Sequence, residues 1–385
     1  MPDDDLLIRG GRVLDAASGL DGALDVALSA GRVARVAAGG PAGIPAGGAG
    51  RVVEAAGCLV VPGLIDLHTH LGFKLHGQVV DPDEVCPPAG VTTAVDMGTT
   101  GAFTFPWYAD RVLPHTTTRL RAFLNIASLG TLGAHSPYYV ERYGQYIDVD
   151  DTVRTIEERR EWIRGIKVFA ASALTGRWPV EALRAARRVA DRVSLPIAVH
   201  VSDEEPPLED ILPLLGAGDI MTHTYTGHAQ RILDGAGRVR DVVRDARARG
   251  VLFDLGHGNG SFSWEVARRA LDQGFPPDTI STDLYYLNRE RPVKDLLTTM
   301  SKMLCLGMPC EEVLARATAA PARALREEDL GALRPGGPAD LAVLRVVSGE
   351  FPYVDCAGET LTGAYAIECQ ATIRGGRLIY EQGVS

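Results

Sequence analysis

Val61-Pro-Gly-Leu-Ile-Asp-Leu-His68-Thr-His70 is the stretch of this 385-residue chain that decides its fold. Together with Val60 it forms a nearly continuous apolar run, which is typical of a strand buried on both faces of a parallel sheet. Side chains two residues apart on a strand point the same way, so His68 and His70 project together. Two neutral imidazoles at the end of a strand suit a divalent metal ion, whereas the alternative is a pair of ordinary polar loop residues.

Strand and helix patterns alternate from residue 63 to 331, which indicates β/α units around a parallel sheet. Eight apolar segments are predicted as its strands: 63–68, 91–96, 120–127, 165–169, 197–201, 220–223, 251–255 and 279–283. Helices are predicted at 151–163, 179–193, 238–249, 262–272 and 292–306, with Pro179 and Pro292 at two helix starts. Eight strands over about 270 residues match a (β/α)8 TIM barrel. The alternative is a doubly wound open sheet, but no Gly-x-Gly-x-x-Gly follows the first strand.

Both ends of the chain carry strand patterns with glycine turns, at 6–17, 24–37 and 52–59 and again at 340–347 and 371–380. We expect these segments to pair into one small β-sandwich domain, formed by residues 1–62 and 332–385. The barrel, residues 63–331, would be inserted between them. Residues 38–50 are almost only Gly, Ala and Pro and are predicted as a surface loop.

Composition limits the classes of function. Hydrophobic residues make up 46% and charged residues 23%, as in ordinary globular proteins. The net charge of −10 argues against nucleic acid or an anionic membrane as a partner. The acidic start lacks the features of a signal peptide, no apolar run could span a bilayer, and six scattered cysteines suggest reduced thiols. We therefore expect a cytoplasmic protein that acts on a small molecule, and a homo-oligomer is left open.

Polar residues stand near the ends of the predicted barrel strands, where barrel enzymes place their chemistry. Besides the His68/His70 pair, they are Lys167, His200, His223 and Asp283. Burial would favour the neutral amine of Lys167, and a neutral amine can add CO₂ to become a carbamate that bridges two metal ions. The alternative is an ammonium paired with Glu161 or Asp203.

These six residues, in this order, resemble the ligand set of the amidohydrolase superfamily. Its prokaryotic deacetylase group, often labelled dihydroorotase-like, is resembled by segments 90–98, 165–172, 218–227, 258–267 and 298–304. Segment 331–342 resembles the superfamily's usual return to the sandwich domain. The resemblance implies a hydrolase with two Zn²⁺ ions per chain. One ion would be held by His68, His70 and Asp283, the other by His200 and His223, with carboxylated Lys167 bridging them. It also implies that a hydroxide between the metals attacks the substrate and that Asp283 takes and delivers the proton.

Substrate contacts are predicted in the loops after the strands, from His257, Asn259, Arg289 and Arg291. The arginines could bind a substrate carboxylate bidentately. The alternatives are that His257 caps its strand and that the arginines cover the surface. Tyr285 and Tyr286 either line the mouth of the site or pack against neighbours.

The resemblance implies that the substrate is a small acylated carboxylic acid. Examples are O-acetyl α-hydroxy acids of the acetyl-(R)-mandelate type and N-acyl amino acids. A cyclic amide hydrolase such as dihydroorotase is the alternative, but Leu71-Gly-Phe-Lys74 stands where dihydroorotases carry an arginine. A non-enzymatic assembly protein on the same fold is a remote third reading, because no ligand residue is missing.

Overall fold

The computed structural model describes residues 5–39, 44, 50–72, 75, 77–134, 136–202 and 205–383. Its strands in chain order are β1 (Leu6–Asp15), β2 (Leu20–Ser29), β3 (Arg32–Ala38), β4 (Val52–Glu54), β5 (Leu59–Pro62), β6 (Leu64–Thr69), β7 (Val91–Gly101), β8 (Arg119–Asn125), β9 (Ile163–Phe169), β10 (Ile197–His200), β11 (Ile220–Met221), β12 (Leu252–Phe253), β13 (Leu341–Val354), β14 (Thr360–Arg374) and β15 (Arg377–Glu381).

The α-helices in chain order are α1 (Pro82–Val85), α2 (Phe105–Arg111), α3 (Pro137–Glu141), α4 (Val149–Glu158), α5 (Ser172–Thr175), α6 (Pro179–Val193), α7 (Leu208–Ile211), α8 (Asp241–Ala248), α9 (Trp264–Asp272), α10 (Leu296–Cys305), α11 (Cys310–Ala315) and α12 (Ala319–Ala324). Among the described residues, no helix is long and apolar enough to cross a membrane.

Strands from the two ends of the chain form one sheet, in the order β15-β14-β13-β5-β1-β2-β3, with β4 also paired to β1. β5 joins the two halves, because it runs parallel to β1 and antiparallel to β13. The predicted pairing of the termini is therefore confirmed. The domain boundaries at residues 62 and 331 stay predictions.

The segment 24–37 contains the end of β2 and most of β3, which pair antiparallel. Ala30 and Gly31, both with positive φ (49° and 74°), form the turn between them. Two successive positive φ values suit the tight turns of hairpins, and Gly31 provides the glycine expected at such a turn.

The apolar run around residue 61 is likewise two strands, not one. β5 ends at Pro62 in the first sheet, and β6 begins at Leu64 in the second. Gly63 lies between them and donates its backbone N–H to Asp340 O at 2.9 Å. A Cβ at Gly63 would come within 2.1 Å of Thr92 Oγ1, so only glycine fits at this crossing.

The second sheet is parallel, in the order β6-β7-β8-β9-β10-β11-β12, and curls into the predicted TIM barrel. The expected eighth strand, 279–283, is not a regular strand. It closes the barrel through isolated parallel bridges from Thr279 to Asp254 and from Leu284 to Thr69. Asp283 has φ of 50°, which a regular strand cannot accommodate, and this explains the irregularity.

Of the two predicted helix starts, the one at Pro179 is confirmed and the one at Pro292 is wrong. α6 begins at Pro179, where a missing N–H costs nothing. α10 begins at Leu296 instead of Pro292, because the side chain of Asp295 caps it by accepting from Thr298 N at 2.7 Å. Asp is among the best residues for a helix N-cap, whereas proline only tolerates the position that follows.

We predict that Gly63→Ala lowers the free energy of unfolding by about 1–3 kcal/mol, the usual cost of overpacking a filled core. The measurement is the midpoint of chemical unfolding. Gly22→Ala is the matched control, because a Cβ at Gly22 meets no atom within 4 Å. Equal midpoints for the two variants would contradict the account of this crossing.

Candidate active site

The six residues predicted from the strand ends lie together at the C-terminal mouth of the barrel. His68 belongs to β6, Lys167 to β9 and His200 to β10. His70 follows β6, His223 follows β11, and Asp283 lies in the segment that closes the barrel. All six line one cavity of about 110 Å³.

Asp283 lies between His68 and His70, the two histidines at the end of β6. Its Oδ1 lies 3.2 Å from His68 Nε2 and 3.2 Å from His70 Nε2. Candidate ligand atoms of these three residues all lie within 4.8 Å of one another. This spacing lets the three side chains reach a common metal ion.

His200 and His223 form a second pair beside the first group. His200 Nδ1 lies 2.7 Å from His223 Nε2. The ring of His68 lies 5.2 Å from that of His223, and Lys167 Nζ is 3.3 Å from His68 Nε2. The two groups are therefore neighbours, with Lys167 in contact with the first.

Hydrogen bonds on the outer side of the His68 and His223 rings orient them so that the Nε2 lone pairs face the cavity. Thr222 Oγ1 donates to Asp254 Oδ2 at 2.8 Å, so its oxygen accepts from His68 Nδ1 at 2.9 Å. His223 Nδ1 donates to Gly256 O at 2.7 Å, because a carbonyl can only accept. In the neutral form of both rings Nε2 is therefore left without a proton, which is the state that binds a metal.

Burial also favours the uncharged forms. It lowers the pKa of Lys167 to about 8 and that of His223 to about 3, and it holds the pKa of His200 well below its usual range. Burial opposes ionisation of Asp283, but the adjacent His68 and His70 outweigh it and hold the pKa of this carboxyl well below its usual range. Burial also opposes a charge on His68, but Asp283 and Asp254 outweigh it and raise the pKa of this imidazole. Lys167, His200 and His223 are thus shifted toward their neutral forms, next to one carboxylate.

The alternative state of Lys167 is an ammonium paired with Glu161 or Asp203. Lys167 is fully buried, whereas Glu161 is exposed, and Asp203 lies outside the described residues. In the described part of the chain, no carboxylate forms an ion pair with this amine. A Cβ at Gly98 would come within 2.5 Å of Lys167 Cγ, so this glycine makes room for the lysine side chain.

Two of the six residues have strained backbones. Asp283 and His223 have φ of 50° and 67°, in the left-handed region that non-glycine residues rarely adopt. Strain of this kind collects at functional sites, where the surrounding structure holds it in place.

The four predicted substrate contacts are not brought into this cavity. His257 is buried and hydrogen-bonded to Lys302, and Asn259 is exposed. Arg289 lies over the ring of Tyr286, and Arg291 is exposed beside a separate cavity of about 270 Å³. Lys74 lies outside the described residues. The described residues that do line the site, besides the six, are Gln78, Thr131, Ala134, Phe169, Leu174 and Tyr285.

Sequence reasoning missed the residues that orient the histidines. Thr222 and Asp254 support His68, and Thr99 Oγ1 lies 2.9 Å from His70 Nδ1. A threonine inside an apolar strand is common and carries no signal by itself. Only the position of Thr222, immediately before His223 at the end of a strand, could have suggested a role.

Buried histidines, a lysine and a carboxylate that converge at the strand ends define the site of a barrel enzyme. The amidohydrolase family model matches residues 59–366, so the chain belongs to the amidohydrolase family and is a hydrolase.

Related proteins carry several activities. A deacetylase from Enterococcus faecalis is 31% identical over 380 residues, which cover 98% of this chain and 99% of that protein. A crystal structure of an adenine deaminase superposes with a TM-score of 0.90 at 31% identity, over 99% of this chain and 100% of that chain. A crystal structure of a dihydroorotase superposes with a TM-score of 0.88 at 28% identity, over 98% of this chain and 99% of that chain.

We predict that Thr222→Val weakens zinc binding about 10- to 100-fold, the usual effect of removing a group that orients a metal ligand. Valine keeps the shape but removes the acceptor of His68 Nδ1. Chelator competition measures the affinity. Thr224→Val is the control, because its buried hydroxyl bonds only to Asp254 O at 2.8 Å. Identical affinities in both variants would rule out the orienting role.

Proposed function

We propose that this protein is a zinc-dependent deacetylase that hydrolyses small acylated carboxylic acids. The observation that carries the proposal is the convergence of six residues, all of types that can ligate a metal or bridge two metals, on one cavity of about 110 Å³. Imidazole nitrogens and carboxylate oxygens are the ligands of catalytic zinc sites, so the set fits the metal that the family implies.

Two metal ions would share these six residues. His68, His70 and Asp283 would hold one of them and His200 and His223 the other. Lys167, once carboxylated, would offer two oxygens and bridge both. When bound, the ions supply Lewis acidity, which lowers the pKa of water and polarises a carbonyl.

The protein's own groups would handle the proton and the substrate. Asp283 is ionised and lies at the centre of the ligand set, so it can accept the proton of the attacking water and return it to the leaving group. Phe169 and Leu174 add apolar surface to the cavity. Burial raises the pKa of Tyr285 to about 12, so its hydroxyl stays protonated and can donate to an anionic substrate.

The substrate class rests on two supports. One is the likeness to a curated deacetylase along almost the whole chain. The other is the cavity size, which is below the roughly 300–1,000 Å³ of typical ligand pockets. A small acyl group fits beside the predicted ligands, while the rest of the substrate would extend toward the mouth.

A cyclic amide hydrolase of the dihydroorotase type is the second candidate. The likeness to the solved dihydroorotase structure favours this second candidate. The described lining residues include no arginine, so a carboxylate of either substrate would rely on Tyr285, and the likeness to a deacetylase along almost the whole chain favours the first candidate. The substrate comparison below separates the two.

We predict that Asp283→Asn lowers kcat by roughly a hundredfold or more, because an amide cannot accept the proton of the attacking water. Metal content is measured alongside, since weaker binding would also lower the rate. Wild-type kcat in a metal-replete Asp283→Asn protein would exclude the role.

We predict faster hydrolysis of acetyl mandelate than of its neutral methyl ester. Losing one hydrogen bond to a charged group costs about 1.5–3 kcal/mol, or at least tenfold in kcat/KM. In Tyr285→Phe this preference should shrink, because the candidate donor is gone. Equal rates for the matched pair in the wild type would remove the carboxylate argument, and turnover of dihydroorotate alone would favour the second candidate.

A further inference from the structure

Lys302 is a second buried lysine, separate from the six residues of the site. It lies in α10 and is only 1% exposed. Its Nζ lies 2.7 Å from each of three acceptors: His257 Nε2, Pro292 O and Val354 O. An ammonium has three N–H groups, so each acceptor receives one. These bonds compensate for the desolvation of the amine.

This contact fixes the proton on His257. Because Lys302 only donates, His257 Nε2 must accept, and the ring proton must be on Nδ1. Nδ1 then donates to Gly258 O at 2.9 Å. The ring also stacks on Phe262, with centroids 4.6 Å apart and planes 17° from parallel. One tautomer and one ring orientation satisfy all of these contacts.

His257 is the central residue of the loop Gly256-His257-Gly258, which touches two of the predicted metal ligands. Gly256 O accepts from His223 Nδ1 at 2.7 Å. A Cβ at Gly258 would come within 2.6 Å of Asp283 Oδ2, so the loop backbone packs directly on that carboxylate. The loop therefore sets the position of both side chains.

Glycine gives this loop little preference of its own. Gly256 and Gly258 have φ of 50° and 57°, and glycine reaches many other conformations as easily. Backbone bonds from His257 N to Ser281 O (3.2 Å) and from Gly258 N to Thr282 O (2.9 Å) hold one side of the loop. The imidazole of His257 holds the other side through Lys302.

We propose that Lys302 is a positioning residue, which fixes the tautomer of His257 and, through the backbone of Gly256 and Gly258, orients His223 and Asp283 for metal binding. The inference rests on the proposed function only in its last step, where these two residues bind metal. The hydrogen-bonded arrangement itself requires no metal.

The test compares Lys302→Met, which keeps the length but removes the three donors, with Lys294→Met, the same change at an exposed lysine. Nitrogen-resolved histidine NMR of the metal-free protein should show Nδ1-protonated His257 in the wild type and in Lys294→Met. In Lys302→Met the other tautomer should become populated. Chelator competition should show zinc binding 10- to 100-fold weaker in Lys302→Met alone.

A folded Lys302→Met protein with the wild-type tautomer and zinc affinity would overturn the inference. If the wild type binds no zinc, the proposed function fails, while the tautomer still decides the role of Lys302. Should Lys302→Met not fold, His257→Gln and His257→Leu replace it. Glutamine can accept from Lys302 and donate to Gly258 O, so it should keep zinc affinity, whereas leucine should lose 10- to 100-fold. Equal affinity in this pair would also overturn the inference.

Discussion

Removal of water from the amine of Lys167 is the constraint on which the rest of the site depends. Burial lowers the pKa of Lys167 to about 8, so a minor fraction of this amine is neutral at physiological pH. Neutral amines react with CO₂, whereas ammonium ions do not. The same burial keeps His200 and His223 uncharged. One physical factor thus prepares a lysine and two histidines for metal binding.

Hydrogen bonds on the outer side of the predicted metal ligands orient their side chains, which burial alone cannot do. Asp254 accepts from Thr222, Thr279 and Ser281 at 2.7–2.8 Å. Although burial opposes its ionisation, His68 and the hydroxyls of Thr279 and Ser281 lower the pKa of Asp254. This carboxylate links the segment after β12 to the segment that closes the barrel. The segment that closes the barrel therefore carries part of the support for the site, through Thr279 and Ser281.

The barrel and the six converging residues could be predicted from sequence, because they depend on the periodic pattern of apolar residues and on the order of the polar residues at the strand ends. Apolar runs at βα spacing fix the strands, and a histidine at a strand end must face the mouth. The substrate contacts could not be predicted in this way. His257 and Arg291 stand in the right loops, yet one is satisfied by Lys302 and the other faces solvent. Loop side chains follow partners that are distant in sequence, and Lys302 lies 45 residues from His257.

The most direct test of the central claim is a crystal structure of protein purified with zinc, with diffraction data collected at the zinc absorption edge. Our account predicts two anomalous peaks within the cavity, one beside His70 and one beside His200. Between them, the electron density of Lys167 should extend past Nζ into a carboxylate. Two peaks with Lys167 ending at an unmodified amine, or no zinc in the cavity, would contradict it.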